Sequence, residues 1–189
     1  MLFTQAVTHI MSSFLNIKAD RMPKVATTVI ATVAVPRQAL WTWLVPGVFY
    51  NELESVVRDE AGLPGCTKTT GTTGPWDVAG STRIVHLSDE TCVRETVKVA
   101  TAPDYFAYRL TDFSSAMIRL LVREAGGQWW FTDEGTGTHV KWTYTAESTN
   151  ILTILLLFPV IRVAWNRYMR NSMRVIKERA EKEVMGAAV

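Results

Sequence analysis

The chain of 189 residues has two cysteines, Cys66 and Cys92, and three histidines, His9, His86 and His139. None stands in a CxxC pair or a Cys/His cluster, so no zinc-ligand spacing exists and no metal is expected. Two lone thiols fit a reducing cytosol, or pair in a single disulfide; the placement expected is cytoplasmic. GxGxxG, P-loop, HExxH and GxSxG motifs are also missing, which removes the commonest nucleotide, zinc-protease and serine-hydrolase readings. No cofactor is expected. Lys+Arg 20 against Asp+Glu 18 leaves a formal charge of +2. That near balance supplies no concentrated basic surface for a nucleic-acid partner. The apolar run ILTILLLFPVI, residues 151–161, ends at Arg162. A bilayer-spanning helix needs about 20 apolar residues, so no transmembrane span is expected.

What is present is a core-forming composition, with 48% hydrophobic residues. Residues 1–22 read as an N-terminal extension. They lack a basic region ahead of their apolar part and so do not read as a secretory signal. Leu2, Ala6, Ile10, Phe14 and Ile17 recur at helical spacing, the stripe of a short docking helix or of a membrane-surface anchor.

From residue 24, KVATTVIATVAV alternates β-branched residues and predicts a strand. Pro36 opens a short helix over RQALWTWLV, Pro46-Gly47 breaks it, and VFYNELESVVRDE follows with Phe49, Leu53 and Val56 at helical spacing. AGLPGCTKTTGTTGPWDVAG reads as loop or weak strand. STRIVHLS, TCVRETVKVA and YFAYRLTD are strands joined by short turns, and AMIRLLVRE reads as another. Such closely linked strands pair as an antiparallel meander.

The last hairpin is WWFTDEGTGTHVKWTY, residues 129–144, turning at Gly135-Thr136-Gly137-Thr138. Alternation puts Trp129 and Phe131 on one face with Val140, Trp142 and Tyr144, and leaves His139, Lys141, Thr143 and Thr145 for solvent. A long helix then carries Ile161, Trp165, Met169, Ser172, Ile176 and Ala180 in one stripe, capped by Ser148 or Thr149 and kinked at Pro159. It is the element long enough to cover the apolar face of a curved sheet.

In this order and spacing, GSTRIVHLSDETCVRETV, APDYFAYRL, QWWFTDEGTGTHVKWTYTAES and FPVIRVAWNRYMRNSMRVIKERAE resemble the SRPBCC superfamily of START domains, polyketide cyclases and pathogenesis-related allergens. The resemblance implies an α+β helix-grip fold over residues 23–185, followed by a short tail, 186–189. In that fold a curved antiparallel sheet wraps a long C-terminal helix, with two short helices after the first strand. It also implies a cavity between sheet and helix, lined here by Val85, Val97, Tyr108, Leu110, Trp129, Phe131, Trp142, Tyr144, Trp165, Met169 and Met173. The same side chains fill one another's space if the interior is solid.

One residue breaks the apolar pattern. Glu95 shares its face with Val93, Val97 and Val99, and Arg83 on the preceding strand shares a face with Val85 and Leu87 and is within reach. A desolvated carboxylate is costly unless paired, so an ion pair is expected there. Glu95 is then a structural partner, a polar anchor for a ligand, or an acid/base group. His86 faces away. The function expected is binding of a small hydrophobic ligand, a lipid or a polyketide-like aromatic. One alternative is a cyclase or dehydratase using Glu95, Tyr108 and Tyr144. The other is an interaction module whose N-terminal stripe and apolar Ile151–Ile161 segment meet a protein or make peripheral contact with a membrane.

Overall fold

Strand β1 (Lys24–Val33) buries Val25, Thr27, Val29 and Val33 and turns the residues between them outward or to its margin. That is the period of two its β-branched run predicts. The computed structural model describes residues 22–186; the stripe from Leu2 to Ile17 lies outside the described residues. After Pro36 comes α1 (Arg37–Trp43), which runs on through a wide turn (Leu44–Val48) and a last turn (Phe49–Asn51). Pro46-Gly47 therefore does not break this helix. Proline lacks the N–H that an α-turn would use, and the wider turn absorbs it. The break falls at Glu52, where the backbone leaves helical geometry, and α2 (Leu53–Val56) follows.

The remaining strands are β2 (Cys66–Thr70), β3 (Thr82–Leu87), β4 (Cys92–Thr101), β5 (Tyr105–Thr111), β6 (Val122–Glu134) and β7 (Gly137–Ser148). They form one seven-stranded sheet in the order β1-β7-β6-β5-β4-β3-β2, antiparallel at every pair. β6 and β7 meet at a two-residue turn with Glu134 opposite Gly137, and Gly135 supplies the positive φ.

Residues 116–121 are not strand. They form α3 (Ala116–Leu121), and Ser115 Oγ accepts the Ile118 N–H at 3.4 Å. A serine cap ahead of Ala, Met, Arg and Leu favours a helical turn over extension. The C-terminal helix also starts later than expected. Asn150 Oδ1 accepts the N–H groups of Leu152 and Thr153, capping α4 (Thr153–Pro159), while Ser148 serves a side-chain contact to Thr153. A wide turn after Pro159 (Val160–Trp165) leads into α5 (Asn166–Ala180), which closes with another wide turn (Glu181–Met185). This is the helix-grip arrangement.

The helix does not lie along the middle of the sheet. α5 and the turn before it pack chiefly on β1, at one edge. At its far end, Arg179 bonds Glu52 and Ser55, and Glu183 accepts the Trp43 indole N–H at 2.9 Å. The aromatic hairpin face is accordingly shared. Tyr144 meets Trp165 at 4.5 Å between centroids, whereas Phe131 meets Trp41 at 5.5 Å and Trp129 meets Phe49 at 5.3 Å. Half of that face looks at the long helix and half at α1 and its continuation.

Candidate functional site

Three inward rows cross the sheet, and their side-chain sizes decide where space is left. Trp142, Trp129 and Phe106 line up across β7, β6 and β5, and the two tryptophans stack at 4.4 Å. The next row is Tyr144, Gly127, Tyr108 and Val97. The third is Ala146, Ala125, Leu110, Glu95 and Arg83. Bulk closes the first row; glycine and alanine hollow the other two. With the helix displaced toward β1, a cavity of ≈ 390 Å³ remains. It falls in the range of small-molecule sites, roughly 300–1,000 Å³.

Of the residues expected to line it, Arg83, Val85, Glu95, Tyr108, Leu110, Trp129, Trp142, Tyr144 and Trp165 do so. Val97, Phe131, Met169 and Met173 do not. All four are buried in the packed core instead. The expected helix stripe splits in two because the helix packs on β1. Ile161, Trp165, Tyr168, Ser172 and Ile176 face the cavity, while Met169 and Met173 sit a third of a turn away in the core. Phe131 is taken by Trp41. Sequence reasoning missed Tyr168 and Trp76. Ser172, a polar residue inside an apolar stripe, was the available signal for a cavity-facing helix position.

The polar end is built on Arg83 and Glu95, which sit opposite each other on β3 and β4. Arg83 Nε donates to Glu95 Oε2 at 2.8 Å and Nη2 lies 2.7 Å from the same oxygen. Arg83 Nη1 donates to the Phe49 carbonyl, and the guanidinium lies 3.8 Å over the ring of Trp76. Both side chains are almost wholly buried. The arginine is thus fully engaged by a carboxylate, a helix-end carbonyl and an aromatic face. Glu95 Oε1 has no hydrogen bond among the described residues, and neither has Tyr144 Oη or Ser172 Oγ. The Trp142 N–H leans toward Tyr108 Oη without closing a hydrogen bond.

Burial pushes the phenols of Tyr108, Tyr144 and Tyr168 well above their ordinary range, and the negative charge of Glu95 adds to the first two. All three are neutral donors at physiological pH. The Tyr168 hydroxyl donates a hydrogen bond to the Pro64 carbonyl at 3.3 Å. His86 lies outside the cavity, against Thr70 Oγ1 at 2.8 Å. Cys66 and Cys92 are both free thiols. Among the described residues no group of His, Cys, Asp and Glu is placed to hold a metal.

A curved sheet gripping a displaced helix around an aromatic cavity defines a helix-grip pocket protein. The same helix-grip fold is seen in solved structures that share little sequence with this chain. Norcoclaurine synthase from Thalictrum flavum, in complex with dopamine and hydroxybenzaldehyde, superposes with a TM-score of 0.65 at 11% identity, over 86% of this chain and 89% of that one. Ara h 8.0201 gives 0.60 at 11% identity, over 85% and 100%. The major latex-like protein 151 of Panax ginseng gives 0.62 at 10%, over 83% and 97%. The sequence itself matches no family model and no curated protein.

Proposed function

We propose that the protein binds a small hydrophobic ligand, a lipid or a polyketide-like aromatic, inside this cavity. The observation that carries the reading is the cavity's lopsided chemistry. Tryptophans and aliphatic groups form most of the wall, and the buried Arg83–Glu95 pair stands at one end. The indole N–H groups of Trp76, Trp129, Trp142 and Trp165 have no hydrogen-bond partner among the described residues. A space of ≈ 390 Å³ has room for a small molecule. A ligand with an apolar ring or chain and one hydroxyl or carbonyl satisfies both ends. The likeness to norcoclaurine synthase, whose structure holds two small aromatics, supports the aromatic class. The free thiols support a cytoplasmic setting.

Native mass spectrometry of protein from its own host tests this directly. A copurified small molecule, displaced by an apolar fluorescent probe that binds saturably, is the expected result. Folded protein that takes up no probe, fatty acid or polycyclic aromatic ends the reading.

A second reading, acid/base catalysis of a cyclisation or dehydration, rests on Glu95 Oε1. It is a carboxylate oxygen without a hydrogen bond, beside two neutral phenols suited to polarise a carbonyl. Glu95→Gln abolishes turnover but not binding if this holds.

A further inference from the structure

The apolar run at residues 151–161 is too short to cross a bilayer, and the fold leaves most of it uncovered. In α4 and the turn after it, only Leu157 and Ile161 are fully buried, with Ile154 and Trp165 packed half-buried against the core. Leu152 is 73% exposed, Leu155 71% and Leu156 61%. The neighbouring α3, which packs on α4, adds Met117 at 67% and Leu120 at 68%. Lone apolar side chains are ordinary on a surface; a contiguous set on two adjoining helices is not.

Charge separates the possible occupants. Segments 113–123 and 148–177 contain no Asp or Glu and carry Arg119, Arg162 and Arg170, which pair with no carboxylate among the described residues. Arg123 and Arg167 are already paired, and the flanking Asp112 and Glu124 are held by Arg94 and Arg109. The neighbouring carboxylate Glu147 is buried and already held by Lys24 and Arg123, and Glu60 is held by Arg167. A second copy seated on this face by a two-fold axis would bring the same arginines against one another. A layer of anionic headgroups meets them with opposite charge. Met117 and Val160 belong both to the exposed patch and to the cavity wall, so the patch borders the cavity mouth.

We propose that α3 and α4 form a docking surface for a lipid bilayer bearing anionic headgroups. The leucines enter the acyl boundary and the arginines stay at headgroup level. The cavity then opens toward the lipid. Its use as an entry route for the ligand rests on the binding function proposed above; the docking itself does not.

Flotation of the full chain with phosphatidylcholine vesicles, with and without phosphatidylglycerol, tests the docking. Wild type floats with the mixed vesicles and far less with the neutral ones, and high salt weakens the attachment. In Leu152→Glu/Leu155→Glu/Leu156→Glu, none of whose positions lines the cavity, the floated fraction falls by about tenfold or more. Its melt and its uptake of 1-anilinonaphthalene-8-sulfonate, measured without vesicles, match wild type. The proposal is overturned if wild type floats with neither vesicle, or if the triple variant floats as well as wild type. It is also overturned if sedimentation shows a wild-type dimer that the variant turns into a monomer. Wild type that floats but takes up no probe supports the docking and removes the cavity function alone.

Discussion

The ring of Tyr108 lies flat on Gly127: a Cβ added there would stand 2.4 Å from Tyr108 Cε1 and 2.5 Å from Cζ and Oη. Glycine on the inward face of a central strand is otherwise a weakness. Here it lets a tyrosine lie down across the sheet, so that its hydroxyl borders the cavity and its ring does not fill it.

Gly127→Ala therefore raises the Tyr108 ring into the cavity. Overpacking of this kind costs about 1–3 kcal/mol, and probe affinity falls with it. Adding Tyr108→Leu removes the clash and restores most of the stability, which a double-mutant cycle of thermal melts reads out. Additive losses would show that the two residues do not meet.

The Arg83–Glu95 pair gives a second cycle. Each partner is buried, so Glu95→Gln and Arg83→Met each leave an uncompensated charge or lone donors and cost ~3–5 kcal/mol. The double variant recovers part of that loss. If Glu95→Gln instead melts like wild type while probe affinity or turnover drops, the carboxylate serves the ligand before the fold.

The helix positions separate filling from packing. Ser172→Phe extends a ring into the cavity and lowers probe affinity by about tenfold or more with a small change in melt. Met169→Ala acts in the opposite way. It opens a hole in solid core at a cost of about 2–5 kcal/mol and leaves probe affinity close to wild type. Titration of both variants with the same probe, beside their melts, makes the comparison.

Alkaline pH probes the buried acids. Burial pushes the Cys66 thiol up to about 12 from an ordinary 9.0, and it holds Tyr108, Tyr144 and Tyr168 well above the usual phenol range. Above pH ~9 the unfolded chain loses these protons first. The folded state then holds more protons than the unfolded one, and stability falls as pH rises. The melt should stay level toward pH 8 and drop steadily above 9 to 10. Phenolate absorbance should show these tyrosines ionising in one step with unfolding. A smooth titration of all tyrosines at the ordinary value, before unfolding, would contradict their burial.

Much of the fold was legible because period and punctuation agree in this chain. The β-branched run at Lys24–Val33, the Gly-Thr-Gly turn after Glu134 and the inward set Trp129, Phe131, Trp142 and Tyr144 all follow from alternation alone. The Arg83–Glu95 pairing followed from cost, since a lone inward carboxylate demands a partner. What sequence pattern does not carry is where a helix sits over a sheet. Met169 and Met173 share an apolar stripe with Trp165, yet only a lateral shift toward β1 decides that the methionines meet β1 and Trp165 meets the cavity. Residues 116–121 misled for a local reason. A cap at Ser115 outweighed an apolar run that reads equally well as strand. Nor did the run at 151–161 announce its exposure, because hydropathy says how apolar a segment is and not whether anything covers it.

The sheet order carries a last consequence, for how the chain is made. Among the described strands β1 is the first to leave the ribosome and its partner β7 the last: Lys24 pairs with Glu147 and Val33 with Thr138. At translation rates of roughly 5–20 residues per second, β1 waits for several seconds with both edges bare. Its sequence, KVATTVIATV, has one charge and a high β propensity, which makes it adhesive during that wait. Only when β6 and β7 have emerged is there an edge to receive it. The protein's vulnerable moment is thus set in time, between synthesis of its first strand and its last, and holding chaperones that recognise extended aliphatic segments have that interval in which to act.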